Sequence, residues 1–305
     1  MTPTEPSPVP APPAAEAPSR ARAADPVQGI LWMLAGTVTF IGVTTLVRHL
    51  TQSYPAAEVV WMRFVVHFAL VLLFLGRQLP EYAATQHAKL HISRSALVFV
   101  ATNIHFISLR YIPVAECTAI MLLIPIFVTL LSAPVIGEAV GRDRWIGTAI
   151  GLVGGLLIVR PGTDAIHPVA LLTVAGCVMF AVYQLATRRL SSTEGAGTTL
   201  FYTSVVGIIA GGAVMPFVWV TPDLEGWGFM IAMGVCGSAG QYALVRAFEV
   251  APAATVSPFL YTNMIWALIF GLVAFGEFPD GWTLLGAGVI TASGLFILRS
   301  ARRGT

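Results

Sequence analysis

The chain has 305 residues, of which 56% are hydrophobic and only 10% charged, with a formal net charge of +2. Soluble domains carry about 25% charged residues. A soluble fold of this size has no way to hide so much apolar surface, whereas a lipid bilayer removes the need.

Residues 1–26 are rich in Pro and Ala. They lack the apolar core of a cleaved signal peptide and read as a disordered cytoplasmic tail. From there charges punctuate the chain at intervals of membrane dimensions. Crossing the hydrocarbon core takes about 20 mostly apolar residues as a helix. Uncharged runs occupy 26–47, 117–137, 165–187, 195–222, 226–245, 250–276 and 281–298. Three shorter stretches complete the set: 57–76, interrupted by Arg63, and 95–109 and 145–159, where flanking arginines can reach the interface. The expectation is an all-α membrane protein of ten transmembrane helices.

Arginine placement orients it. With a cytoplasmic N-terminus, Arg20, Arg22, Arg77, Lys89, Arg94, Arg142, Arg144, Arg188, Arg189, Arg299, Arg302 and Arg303 lie on the inner side. Only Arg48, Arg110 and Arg160 face outward. Lys and Arg are concentrated in cytoplasmic loops of membrane proteins, so both termini, including the tail 301–305, are expected inside. Cys117, Cys177 and Cys236 are odd in number, far apart and set in apolar runs. They read as packing residues, with no disulfide framework and no metal spacing.

Shifting the chain by 139 residues lays 113–160 on 252–299 without a gap. The matches include Pro113/Pro252, Ala115/Ala254, Gly137/Gly276, Glu138/Glu277, Gly147/Gly286, Gly155/Gly294, Ile158/Ile297 and Arg160/Arg299. Five spans per copy is an odd number, so the second copy enters the membrane upside down. Inverted repeats suit alternating access, with the substrate bound near the midplane between the halves.

The pattern Pro113-Val114-Ala115-Glu116, Pro125, Gly137-Glu138, Trp145-Ile146-Gly147 and Gly154-Gly155, with its second copy Ala251-Pro252-Ala253-Ala254, Ser257-Pro258, Tyr261, Gly276-Glu277 and Gly286, resembles the EamA repeat of the drug/metabolite transporter superfamily. The resemblance implies two inverted five-helix repeats, 27–160 and 161–300, in a bacterial inner membrane. General likeness is greatest to bacterial amino-acid exporters of the YddG type. Similar sequences also include importers of S-adenosylmethionine and riboflavin, which makes uptake of a larger planar metabolite the alternative.

Polar side chains at depth are costly and face a cavity or another helix. Asn103, Tyr183, Gln241, Tyr261, Asn263 and Trp266 are the candidate substrate contacts. Asn263 and Trp266, three apart, share a helical face. Asn103 and His105 point to different sides, and His105 reads as an interhelical hydrogen-bond partner. Arg63 needs a partner, for which Glu58 or Glu116 is expected. The pair would lock the outer gate or hold helices together, unless Arg63 instead receives a substrate carboxylate. Glu138 and Glu277 occupy matching places and read as fold residues. Gly147, Gly151 and Gly155 form a stripe for helix packing. No nucleotide-binding loop, catalytic cluster or metal site is present in the sequence. The expected partners are the bilayer and a small-molecule substrate, with an amino acid foremost. No cofactor and no nucleic acid are expected, and the chain is expected to be a monomer or weak homo-oligomer.

Overall fold

A computed structural model describes residues 26–76, 79–136, 142–160, 167–190, 196–251 and 256–303. The 1–25 part of the expected N-terminal tail, Gly137, Glu138, Pro252 and Ala254 lie outside the described residues. Among the described residues the secondary structure is helical, with no strand. The helices are α1 (Pro26–Ser53), α2 (Ala56–Leu75), α3 (Leu79–Ala83), α4 (Ala88–Tyr111), α5 (Val114–Met121), α6 (Ile124–Ile136), α7 (Arg142–Val159), α8 (Val169–Leu190), α9 (Ala196–Gly212), α10 (Met215–Val218) and α11 (Leu224–Val250). A 3-10 turn, Ser257–Tyr261, leads into α12 (Thr262–Phe275), and α13 (Gly281–Arg303) ends the fold. Among the described residues, five segments are long and apolar enough to cross a membrane: Pro26–Ser53, Ala56–Phe74, Ala88–Tyr111, Val114–Ser132 and Val169–Thr187. Trp145–Val159, Gly197–Gly212, Phe259–Phe275 and Gly281–Ile297 are apolar but shorter.

Local chemistry sets the boundaries. Asp223 caps α11 by accepting the Gly226 N–H at 2.7 Å. That bond, with the Tyr54 hydroxyl at 3.0 Å, holds the Asp223 carboxyl below the ordinary carboxylate range. Asp280 caps α13 through the Thr283 N–H at 2.8 Å. Pro55 and Pro113 immediately precede α2 and α5, the position where a missing N–H costs nothing. Gly276 closes α12 with φ +66°, a left-handed conformation that glycine adopts without steric penalty.

Packing follows the small residues. Along α1 and α11, Gly29 meets Ala251 and Gly36 meets the Gly240 carbonyl, so the two helices run antiparallel at close range. On α7, Gly147 lies against Ile297, Gly151 against Ser293 and Ile126, Gly154 against Ile290 and the Gly286 carbonyl, and Gly155 against Leu123. The glycine stripe on this helix therefore packs within the chain. Gly286 in turn lies against Ile158. Gly147 and Gly286, and Ile158 and Ile297, are matching positions of the two repeats. The Gly147–Ile297 contact and the Gly286–Ile158 contact are thus the same contact made twice, on helices of opposite direction. α2 and α9 also run antiparallel, with Phe64 on Gly207 and Trp61 on Gly211.

The same correspondence runs through the helix pairs. α1 against α11 matches α8 against α4, α2 against α11 matches α9 against α4, and α1 against α12 matches α8 against α6. Exchanging each helix for its counterpart turns this set into itself.

A Cβ at Gly154 would stand 2.8 Å from the Ile290 side chain and 2.9 Å from the Gly286 carbonyl, which is backbone and cannot rotate away. Gly288, on α13, has open space. Gly154→Leu is expected to destabilise the protein by about 1–3 kcal/mol through overpacking, while Gly288→Leu leaves stability unchanged. Melting curves of both variants in detergent, read by size-exclusion chromatography, check the contrast.

Candidate substrate site

The fourth apolar stretch of each repeat departs from regular α-helix, and at matching positions. α5 stops at Met121 and α6 restarts at Ile124. In the second repeat the 3-10 turn ends at Tyr261 and α12 begins at Thr262. Leu122 and Tyr261 are 139 residues apart, the repeat shift. Pro125 has no N–H to give the Met121 carbonyl, which loosens the first break. The Leu122 N–H is shared between the Thr118 and Ala119 carbonyls, both at 3.2 Å.

A cavity of about 390 Å³ opens beside the two breaks. Met121, Leu122 and Ile124 line it from one repeat, and their counterparts Leu260, Tyr261 and Asn263 from the other. The first copy supplies apolar side chains and the second supplies a phenol and an amide. Asn263 Oδ1 is buried and has no hydrogen-bond partner. The Tyr261 hydroxyl rests on Gly294, where any side chain would displace it. Gln184, on α8, and Thr129, on α6, complete the polar part of the wall.

A second cavity, of about 110 Å³, lies among α2, α4, α8, α9 and α11. Its polar lining comprises Arg63, His67, Thr102, Tyr183, Thr199, Thr203, Ser238 and Gln241. His67 Nδ1 and Ser238 Oγ are 3.0 Å apart. Gly237 faces the Arg63 Nε, 3.9 Å from where a Cβ would stand, and so leaves the space before the guanidinium open. Arg63 itself is 5.9 Å from the ring centres of both Phe64 and Phe106.

The candidate residues therefore divide. Tyr261 and Asn263 line the larger cavity; Arg63, Tyr183 and Gln241 line the smaller one. Asn103 lines neither and donates to its own Phe99 carbonyl at 2.9 Å, one helical turn back. Trp266 does not accompany Asn263. Its indole N–H donates to Thr37 Oγ1 on α1 at 3.2 Å, beside a Thr37–Thr262 hydroxyl pair at 3.1 Å. The large indole reaches the neighbouring helix, while the shorter amide stops at the cavity. His105 meets Cys117 Sγ at 3.4 Å, as an interhelical partner should.

The expected pairing of Arg63 is not formed. Glu58 is 0% exposed and accepts the Val220 N–H at 3.0 Å, in the connection that precedes α11. Satisfying a backbone donor there competes with reaching Arg63, five residues along α2. Glu116 instead lies within electrostatic reach of Arg160 and Arg48. Those two arginines hold ion pairs of their own: Arg48 with Glu277, and Arg160 with Asp280 at 2.6 Å. Arg48 also donates to the Leu109 and Ile112 carbonyls at 2.8 and 2.7 Å, so one side chain ties α1, the end of α4 and the connection after α12.

Arg94, counted from sequence among the inner-side charges, is 0% exposed inside the bundle. It donates to Thr187 Oγ1 at 3.1 Å, the Thr199 carbonyl at 2.9 Å and Thr203 Oγ1 at 2.7 Å. Its guanidinium lies 5.2 Å over the Tyr183 ring. A threonine cluster at 187, 199 and 203 was the available sequence signal for this role. Among the described residues no group of three His, Cys, Asp or Glu side chains is placed to hold a metal.

A profile of the EamA-like transporter family matches residues 27–160 and again 167–299. An S-adenosylmethionine uptake transporter of Rickettsia prowazekii is 25% identical over 91% of this chain and 94% of its own. A riboflavin transporter of Rhizobium johnstonii is 28% identical over 94% of each chain. The pseudopaline exporter CntI of Pseudomonas aeruginosa is 26% identical over 90% of this chain and 97% of its own. Uptake and export both occur among these relatives, and their named substrates differ. A solved crystal structure matches 91% of this chain and 98% of its own with TM-score 0.63 at 19% identity, a likeness of fold. With both halves of its length matched in the same way, the chain belongs to the EamA-like transporter family.

Proposed function

We propose that the chain is a secondary transporter that crosses a bacterial inner membrane ten times, as two inverted five-helix halves, and exports amino acids or related small metabolites by alternating access. The observation that carries this reading is the pair of irregular helix segments meeting at matching positions with a cavity beside them. Interrupted segments at corresponding places in two repeats point to the binding site of a transporter. Irregular backbone at membrane depth is tolerated where it borders a cavity. The antiparallel, twice-made Gly–Ile contact between α7 and α13 supports inversion. The arginine asymmetry supports cytoplasmic termini.

Substrate contacts in this reading are Tyr261 and Asn263 in the larger cavity and Tyr183 and Gln241 in the smaller. The modest volume of the polar cavity favours a small substrate over a large planar one. Uptake of a larger planar metabolite is the second reading, favoured by the named relatives and by the larger, mostly apolar cavity. The Arg48–Glu277 and Arg160–Asp280 pairs close the end of the bundle that the arginine asymmetry turns outward.

Proteoliposomes bearing the purified chain, loaded and assayed by counterflow with radiolabelled amino acids, riboflavin and S-adenosylmethionine, separate the two readings. Movement of amino acids alone supports the first, and movement of the planar compounds alone supports the second. Asn263→Ala and Gln241→Ala are each expected to slow counterflow several-fold at normal expression and melting temperature. Wild-type rates in both remove these residues from the site.

The outer closure has its own test. In a cysteine-free background carrying Leu122→Cys, Glu277→Gln is expected to raise labelling by an impermeant maleimide from the outer side about fivefold, the effect of losing roughly 1 kcal/mol of closure. Unchanged labelling means the pair does not hold that end shut.

A further inference from the structure

Arg63 sits midway along α2 with its guanidinium at the smaller cavity and its flanks against Phe64 and Phe106. Among the described residues no acidic side chain lines that cavity and none pairs with Arg63. The nearest acid along its own helix, Glu58, is committed to the Val220 N–H. A second guanidinium, that of Arg94, stands behind the wall. It is hydrogen-bonded to neutral oxygens and packed on Tyr183, whose ring lines the cavity. Two cations thus bear on one small chamber whose other polar groups are hydroxyls, an amide and an imidazole.

Arginine does not lose its proton in proteins, and a buried charge without a counter-charge is costly. The missing partner is an anion delivered from outside the fold. The planar guanidinium fork matches a carboxylate, whose two oxygens accept two parallel N–H bonds. The chamber is too confined for much more than that group and a short stem. We propose that the transported substrate must carry a free carboxylate, which Arg63 takes up in this cavity, with Arg94 behind the wall adding to its positive potential.

The inference rests on the transport reading, and the two fail separately. The test is counterflow into proteoliposomes of the full chain. The panel contains amino acids and simple dicarboxylates, the methyl ester and amide of each, phosphate monoesters, and riboflavin. The expected result is that the acids move, while their esters and amides move about tenfold more slowly or not at all. In Arg63→Gln the half-saturation for the acids rises about tenfold or more and the preference for acid over ester disappears. Arg63→Lys restores part of both, because it keeps the charge and loses the fork. Loss of preference, as distinct from loss of rate, is not produced by a merely loosened fold.

If Arg63→Gln does not give a monodisperse protein, the acid and ester arms on the wild type decide alone. Esters moving as fast as acids, movement confined to riboflavin or phosphate monoesters, or an unaltered preference in Arg63→Gln overturns the carboxylate requirement while leaving transport intact. A panel in which nothing moves overturns both.

Discussion

Every backbone N–H and C=O in the hydrocarbon core must find its partner inside the protein. That constraint explains why a chain so poor in charge is mostly helical among its described residues, and where it departs from helix. Two of the departures within the apolar stretches, the turn at Leu122–Leu123 and the 3-10 segment Ser257–Tyr261, meet at the equivalent positions Leu122 and Tyr261 and border the same cavity. A break facing lipid would leave polar groups in hydrocarbon. A break facing a chamber can be served by water or by substrate. In the transport reading the cavity and the irregular backbone therefore point to the same place.

Close packing in lipid comes without a hydrophobic force between helices and depends on small residues that let backbones approach. The α7–α13 seam is built this way, from Gly147, Gly151, Gly154 and Gly155 on one side and Gly286 on the other. Polar ties add direction at the ends. Arg48, Arg160 and Asp280 hold one end, and Glu58 clasps the connection before α11. Deeper in the bundle Arg94 gathers α8 and α9 onto α4 through hydroxyls and a carbonyl.

The helices and the repeat were legible because their causes are local. Charge is excluded from lipid, and Pro, Gly and Glu recur where geometry demands them. Tyr261 and Asn263 were legible as polar residues at depth, although two positions apart on a regular helix should face different ways. They share a wall because the winding changes between them, from 3-10 to α. Trp266 and Asn103 look equally suitable in sequence. One reaches Thr37 on a helix more than 200 residues away in the chain, and the other bonds its own turn. The role of Arg94 depends on threonines about a hundred residues downstream converging on it. A charge near a helix end reads as interfacial until those neighbours are placed.

The doubled Gly–Ile contact between α7 and α13 has a mechanical consequence. In the alternating-access reading, a contact between non-equivalent helices whose counterpart is not also made must form in one state and break in the other. A contact that maps onto itself when the halves trade places has the same energy before and after. In that reading the α7–α13 seam would serve as a fulcrum about which the rest of each half swings, and tightening it would stiffen the lever without favouring either side of the membrane.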